Sequence, residues 1–180
     1  MRTYTDTPAT RFHQEFPGIT LRFHSGRIAP HRARVSTQIM RTPAEVFQMF
    51  SAFRATRTEM FVRSGILWAT PLRIGEVAER LAEVPMPERA RFLPDRFLQN
   101  GVPDEVLVPA YSLGGQGLFL LDGNHRATAL ALTGKPFVLK VRVLEAPVDR
   151  QYLYDLRHWD GGPKRFVRRL KSAVEAPAVP

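Results

Sequence analysis

The sequence predicts an α+β fold: a small mixed β-sheet flanked by helices, with an N-terminal extension of helix and loop and a basic helix near the C-terminus. The first observation is a set of apolar strand patterns, at residues 106–113, 118–121 and 137–144. The second is a set of amphipathic helical patterns, at residues 74–82, at residues 88–100 and from His125 onward. The third is the breaks between them: residues 114–117 are a hairpin turn because a strand follows, and Gly134 before Pro136 ends the last helix.

The first residues have weak patterns. Residues 1–20 carry no periodicity, so we expect an irregular arm, and an alternation at residues 19–23 indicates a short strand. Residues 24–37 hold several arginines with glycine and proline, and we expect a basic loop there.

A helix is predicted to begin after Thr42. Thr42 and Glu45 form a capping box, with Pro43 at the first helical position, and the apolar residues that follow continue the helix through Phe53. Residues 61–69 are then expected to form a strand that Ser64 and Gly65 interrupt.

The last thirty residues predict helices around a sharp break. Tyr152, Leu153, Leu156 and Trp159 have helical spacing, and Asp-Gly-Gly-Pro at residues 160–163 ends that helix. Residues 164–171 are predicted to form a short basic amphipathic helix, and we expect it to contact DNA or a membrane surface; the alternative is a solvated terminal helix that packs on the body. The Ala/Pro-rich tail after it is expected to be disordered.

Composition restricts the class of protein. The chain has 180 residues, 44% hydrophobic and 24% charged, which is ordinary for one globular domain. It has no cysteine, which excludes disulfides and thiol chemistry. No apolar run approaches the ~18 residues of a membrane span, and the N-terminus lacks the apolar core of a signal peptide. We therefore expect a cytoplasmic protein, either free or in peripheral contact with the inner membrane.

The positive charge lies at the two ends of the chain. There are 26 basic and 17 acidic residues, a formal charge of +9. Residues 1–60 hold nine basic and four acidic residues, residues 150–180 hold seven and three, and residues 61–149 hold ten of each. Basic segments at both ends of the chain are expected to bind a polyanion, with release of its counterions, or an anionic membrane face. The alternative is that they form a solvated basic surface. We expect DNA as the partner, contacted by Arg27, Arg32, Arg34, Lys164, Arg165, Arg168 and Arg169.

Residue types that can bind a ligand or take part in a reaction are concentrated directly after the 118–121 strand. They are Asp122, Gly123, Asn124, His125 and Arg126, here called the 122–126 turn. A strand ends and a helix begins there, so backbone N–H groups and the positive end of the helix dipole suit an anion, above all a phosphate. The alternative is that Asp122 and Asn124 cap the helix while His125 and Arg126 are solvated. Five such residues in succession favour a phosphate or nucleotide site, because capping needs only one.

The residue types of the 122–126 turn suggest individual roles. Asp122 is expected to hold Mg²⁺, whose preferred partners are one or two carboxylates and the phosphates of a substrate. Arg126 would stabilise charge on a transferring phosphoryl group, and His125 would donate to it or act as acid or base. The expected nucleotide-binding residues are Gly123, Asn124, His125, Arg126 and Thr128.

Several known site patterns are missing from the sequence. It has no Walker loop, no Rossmann glycine fingerprint, no Gly-x-Ser-x-Gly elbow and no His-Glu-x-x-His pair. With no cysteine and five dispersed histidines, structural zinc is not expected. A phosphate site with an acid, a base and a cation close together is what remains.

The 122–126 turn and its surroundings resemble the ParB/sulfiredoxin fold superfamily, in which a strand ends in a Gly-x-x-Arg-like turn that binds nucleotide phosphates. The likeness covers residues 66–146, in the order strand, hairpin, strand, helix, strand. It implies a core at residues 66–146, an N-terminal extension at 1–65 packed on it and a C-terminal helical extension at 147–180, all in one globular unit. Glu76, which matches the first helix of the family, is the first candidate for a second catalytic carboxylate, and several other carboxylates are alternatives. Sulfiredoxin's own reductase activity is excluded, because its cysteine has no counterpart here.

The resemblance implies a nuclease as the first of three activities. Stand-alone members with a His-Arg turn are similar to ParB-like nucleases. Small, basic, plasmid-borne members, the Osa-type fertility inhibitors that block DNA transfer through a type IV secretion system, are similar in length and charge. This implies ATP hydrolysis with Mg²⁺, DNA cleavage, and components of such a secretion system among the partners.

Two other activities are known in the same superfamily. Free-serine kinases share the fold, although such an enzyme has no need of a charge of +9. A CTP-gated DNA clamp like ParB carries a Gly-x-Arg-Arg-type turn and a later helix-turn-helix domain. Here His125 replaces the first arginine, and about thirty-five residues after the core are too few for that domain.

Overall fold

The computed structural model describes residues 6–55, 61–62, 70–84, 93–149 and 151–154. In this part of the chain the helices are α1 Pro8–Gln14, α2 Pro43–Phe47, α3 Ile74–Glu79, α4 Leu93–Asn100 and α5 Asn124–Leu132. The strands are β1 Arg34–Met40, β2 Phe50–Ala55, β3 Phe61–Val62, β4 Thr70–Arg73, β5 Val106–Ser112, β6 Leu118–Leu120 and β7 Leu139–Glu145. Helices flank a mixed sheet, so the predicted α+β class is confirmed.

The strands form one sheet in the order β1-β7-β5-β6-β2-β3, with β4 paired to β2. β1 is antiparallel to β7, and β7 is parallel to β5. β5 and β6 form the predicted hairpin, joined by a 3₁₀ turn at Gly114–Gln116. β6 then runs parallel to β2, where Phe119 lies opposite Phe50. The N-terminal residues therefore supply one strand at an end of this sheet and another within it.

Alternate side chains of the central strands fill two cores, one on each face. One core contains residues of β5, β6 and β7 together with residues of α2, α3 and α5: Val108, Leu120, Val141, Val46, Ile74 and Leu130. The other contains residues of the same strands and of the N-terminal segment: Tyr111, Phe119, Leu144, Phe12 and Phe23. The sheet is therefore a middle layer between the helices α2, α3 and α5 and the N-terminal segment. No helix in the described ranges is long and apolar enough to cross a membrane.

Tyr111 fixes the segment that follows β7 onto this second core. Its hydroxyl donates to the Pro147 carbonyl at 2.8 Å. Burial raises the pKa of Tyr111 above its ordinary range, so the phenol keeps its proton and remains a donor.

The irregular arm predicted for residues 1–20 is wrong over Pro8–Gln14, which is α1. The Thr10 N–H donates to Thr7 Oγ1 at 3.1 Å, and the Thr7 N–H donates to Thr10 Oγ1 at 2.7 Å. This reciprocal capping box, with Pro8 at the first helical position, starts the helix, and Phe12 packs it on the sheet. The sequence did not predict this capping box because Thr10 occupies the third helical position, where glutamate or glutamine is usual.

Two further N-terminal predictions are wrong because distant pairing decides the structure. Residues 19–23 do not form a strand; Phe23 makes a single antiparallel bridge with Leu153. The basic loop predicted over residues 24–37 ends at β1, whose residues pair with β7 from Arg34 to Met40. Met40 is the one buried residue of β1, so the strand shows little alternation of buried and exposed positions.

The helix predicted through Phe53 is also wrong beyond α2. The capping box at Thr42 and Glu45 is present, but α2 ends at Phe47 and Phe50–Ala55 is β2. Pairing with β4 and β6 decides the conformation of these residues. Tertiary contact thus overrides a helical spacing of apolar side chains.

The later elements follow the prediction closely. The strands β5, β6 and β7 and the helix α5 lie within two residues of their predicted ends, and α3 is three residues shorter than predicted. The expected boundary between residues 65 and 66 lies outside the described residues, while β1 and β2 belong to the same sheet as β5 to β7. The helices predicted after Tyr154, including the basic one at residues 164–171, also lie outside them.

Replacing Phe12 with alanine tests the packing of α1. Phe12 is 0% exposed, and its ring centroid lies 5.5 Å from that of Phe16 and 5.9 Å from that of Phe23. Truncating a buried phenylalanine leaves a cavity, so F12A is expected to lower the free energy of unfolding by about 3–5 kcal/mol in urea denaturation. The control Q14A, at an exposed position of the same helix, is expected to change it by less than ~0.5 kcal/mol. Equal effects of the two variants would contradict a packed α1.

Candidate phosphate-binding site

The 122–126 turn joins β6 to α5 through a left-handed glycine. The Leu121 N–H donates to the Pro109 carbonyl at 3.0 Å, which keeps the chain in the sheet up to that residue. Gly123 then has φ +80° and is the N-cap of α5, and the Ala127 N–H donates to its carbonyl at 2.9 Å. The amides of residues 124–126 lie in the first helical turn, where no preceding carbonyl of the helix can accept from them.

Gly123 lies directly on β5. A Cβ at this position would be 2.5 Å from Val108 Cγ1 and 3.2 Å from Val108 Cβ, and 3.4 Å from Arg126 Nη2. Both the left-handed conformation and the close approach to Val108 therefore require glycine. The start of α5 is positioned by the most central part of the sheet.

Asn124 attaches the turn to β2. Its Oδ1 accepts the Ala52 N–H at 2.9 Å. The pairing of β2 with β4 shifts register between Phe50 and Arg54, so Ala52 lies where the strand is irregular. Nearby, Ser51 Oγ accepts the Phe53 N–H at 3.2 Å and donates to the Leu72 carbonyl at 2.8 Å. Side chains thus satisfy backbone groups that regular sheet pairing would otherwise satisfy.

His125 lies against β2 on the same side of the turn. Its ring is half-buried, 5.5 Å from the Phe53 ring with an interplanar angle of 63°. This edge-to-face contact fixes the position of the imidazole. Phe53 is therefore a site residue that the sequence did not identify, because its spacing placed it in the apolar stripe of a helix.

Asp122 and Arg126 form an ion pair across the first turn of α5. Arg126 Nη2 lies 3.3 Å from Asp122 Oδ2, and both side chains are 42% exposed. A half-exposed pair of this kind contributes little to stability, about 0–1 kcal/mol, because solvent screens it. A phosphate that offers Arg126 two oxygens can therefore replace the single contact with Asp122.

Thr128 and Glu76 serve local structure. Thr128 is 1% exposed, and its hydroxyl donates to the Asn124 carbonyl at 2.8 Å, so it is a packing residue of α5. Glu76 is exposed and accepts the Arg73 N–H at 2.6 Å, which caps α3. α3 packs against α5, although the Glu76 side chain is directed to its own helix terminus.

Within the described residues, no group of three or more His, Asp or Glu side chains can hold a metal ion. A cation at Asp122 would therefore need oxygens from a substrate as its other ligands. Mg²⁺ fits this description, because it commonly takes one or two carboxylates and completes its shell with phosphates and water.

The residues predicted to contact DNA are only partly described. Arg27 and Arg32 are exposed in two 3₁₀ turns, and Arg34 is exposed at the start of β1. Arg32 Nη1 donates to the Tyr152 hydroxyl at 3.4 Å, which connects it to the segment after β7. The other four lie outside the described residues: Lys164, Arg165, Arg168 and Arg169.

Replacing Gly123 with alanine tests the close packing of the turn against Val108 of β5. Both left-handed strain and the overlap with Val108 oppose it, so G123A is expected to lower the free energy of unfolding by about 2–5 kcal/mol. Gly101 is the matched control, since it has φ +90° with no atom within 4 Å of an added Cβ. G101A is expected to lose only about 1 kcal/mol. If urea denaturation gives the same loss for both, the contact with Val108 does not constrain the turn.

No protein-family model, curated protein or solved structure matches this chain. The resemblance to the ParB/sulfiredoxin superfamily stays a prediction from the sequence. In the 122–126 turn, the Arg126 guanidinium, the Asp122 carboxylate and the first amides of α5 lie together above the centre of the sheet.

Proposed function

We propose that this chain is a nucleotide-hydrolysing, DNA-binding nuclease of the ParB/sulfiredoxin fold. The observation that carries the proposal is the 122–126 turn, where Gly123 places the start of α5 on β5 beside the half-exposed Asp122–Arg126 pair. On this proposal the polyphosphate of ATP, or of another nucleoside triphosphate, binds at that helix terminus.

The N-terminal end of α5 can bind the phosphate. Its first amides carry no partner inside the helix, and the helix dipole adds a partial positive charge at the same place. Arg126 contributes a full positive charge from within that first turn, and its bond to Asp122 is long and half-exposed. An incoming phosphate therefore gains a charged donor and backbone donors together.

Hydrolysis requires that charge on the transferring group be stabilised and that a proton be moved. Arg126 provides the first, because its guanidinium can contact the equatorial oxygens of a phosphoryl group. His125 lies next to it in sequence and is held by the edge of Phe53, so an imidazole is available to donate or accept a proton. Mg²⁺ bound by Asp122 and the phosphates would neutralise further charge.

The proposed partner is DNA, bound through the basic ends of the chain. Arg27, Arg32 and Arg34 are exposed, and arginine suits bidentate contact with phosphate. The net charge of +9 supports a polyanion over a small neutral substrate such as serine. The length and charge that the chain shares with Osa-type fertility inhibitors support a role in interfering with DNA transfer by a type IV secretion system.

An assay with labelled ATP, Mg²⁺ and plasmid DNA tests the proposal. The wild-type chain is expected to release phosphate and to nick the plasmid. R126A is expected to lower the rate of hydrolysis by a factor of about 10²–10³, because it removes a stabiliser of transition-state charge. R96A, which removes an exposed arginine from α4, is the matched control and is expected to keep wild-type activity.

Each other outcome has a definite meaning. Label that appears on added serine identifies a kinase, and tight binding of CTP with protected, uncut DNA identifies a clamp; both contradict a nuclease. Hydrolysis that is equal in R126A and R96A contradicts the assignment of the site to the 122–126 turn. Circular dichroism of R126A should match that of the wild type, since the pair it breaks is half-exposed.

A further inference from the structure

A second concentration of arginines lies where α1 packs against the sheet. A groove of about 460 Å³ opens there, lined by Pro8, Arg11, Glu15, Arg34, Val35 and Arg142. α1 packs on one face of the sheet and α5 packs on the other. The groove is therefore separate from the 122–126 turn.

We propose that this groove binds one backbone phosphate of DNA. The proposal rests on the proposed function in taking DNA as the polyanion, and it assigns contacts to Arg11 and Arg142, which the sequence did not distinguish from other arginines. Arg34, at the start of β1, is the third arginine of the groove.

Three hydrogen bonds hold the Arg142 side chain in place at the groove. Its Nε and Nη2 donate to the two carboxylate oxygens of Glu15 at 2.7 and 2.9 Å, and its Nη1 donates to Thr37 Oγ1 at 3.0 Å. These bonds join β7 to β1 and to the end of α1, so the guanidinium is held in one orientation. Glu15 raises the pKa of Arg142 through this hydrogen bonding, so the guanidinium stays protonated and paired with the carboxylate.

Arg34 and Arg11 supply the charge that is available to a ligand. Among the described residues no carboxylate forms an ion pair with Arg34, which is exposed. Arg11 pairs with Asp6 at 3.0 Å, but both side chains are more than half exposed, 63% and 71%, so solvent screens the contact. Glu145 lies opposite Arg34 in β7, and its carboxylate accepts the Ser36 hydroxyl at 3.2 Å. A polyanion can therefore compete for Arg11 with Asp6 and for Arg34 with the exposed Glu145.

The local charge suits a singly charged ligand. The groove lining holds three arginines and the carboxylate of Glu15, while Asp6 pairs with Arg11 and Glu145 lies opposite Arg34 in β7, so the groove and its surroundings carry little net charge. One backbone phosphate of DNA carries one negative charge, whereas the triphosphate of a nucleotide carries several. Pro8 and Val35 add apolar surface, against which a deoxyribose can pack. The groove thus fits one unit of a polymer better than a compact, highly charged anion.

Fluorescence anisotropy with a labelled DNA duplex, measured with the full chain over a range of NaCl concentrations, tests the groove. R34A is expected to weaken binding about fivefold and to lower the slope of log K against log salt by ~0.9, because one phosphate contact is lost. R96A removes the same charge from α4 and is expected to change both much less. E15Q is expected to tighten binding severalfold, because it removes a negative charge from the groove and releases Arg142 from its carboxylate.

Glu83 gives the matched control for Glu15, since it also pairs with an arginine, Arg80, at 2.8 Å, but on α3's side of the molecule. E83Q is expected to leave DNA affinity nearly unchanged. Equal effects of R34A and R96A, or of E15Q and E83Q, would overturn the groove and indicate a response to net charge alone. Tight binding of inorganic phosphate that R34A abolishes, without DNA binding, would overturn DNA as the ligand.

The same measurements separate this inference from the proposed function. If R34A binds DNA like R96A while R126A loses hydrolysis, the groove is rejected and the nucleotide site stands. If the wild-type chain binds no DNA at all, both the groove and the nuclease are rejected. If DNA binding depends on Arg34 and Glu15 but no nucleotide is hydrolysed, the groove stands and the nuclease is rejected.

Discussion

The close contact of Gly123 with Val108 is the constraint on which the site depends. A Cβ on Gly123 would lie 2.5 Å from Val108 Cγ1, so no side chain fits there, and the left-handed φ of +80° independently favours glycine. α5 therefore begins directly above β5. The Asn124–Ala52 bond and the His125–Phe53 contact then fix the same turn to β2. Two strands, β5 and β2, therefore define the position of one helix terminus, and the amides there are oriented before any ligand arrives. Pre-orientation of this kind favours binding, because little ordering is left to be done when the anion binds.

The central part of the fold could be predicted because its signals are local. β5, the glycine-containing hairpin, β6, α5 and β7 follow each other within forty residues, and each has its own apolar run, turn or stop residue. The N-terminal strands could not, because their conformation depends on partners far along the chain. β1 exposes Thr37, Gln38 and Ile39 and is a strand only through β7. β2 carries Arg54, 1% exposed, among apolar residues, and no local pattern predicts a buried arginine in a strand.

The candidate site was also predicted only as far as its signals are local. The sequence identified the five residues of the turn from their composition, and the structure places them together at the end of β6. It could not show which of these side chains contact other elements, since Ala52 and Asn124 are separated by 72 positions. It also could not show that Thr128 is buried or that Glu76 caps its own helix. Residue type predicts the chemistry that is available, whereas three-dimensional pairing decides which side chains remain accessible for it.

The position of β7 between β1 and β5 has a consequence for biosynthesis. Thr37 and Arg142 are neighbours across the sheet but lie 105 positions apart, so β1 leaves the ribosome long before its only described partner strand exists. At a translation rate of about 5–20 residues per second, that interval is roughly 5–20 s. During it β1, with the exposed Ile39, presents open backbone hydrogen-bonding groups that other chains can pair with. Non-local pairing of this kind also slows folding, since a long loop must close before the contacts form. The strand that carries Arg34 is therefore open to pairing with other chains until β7 has been made.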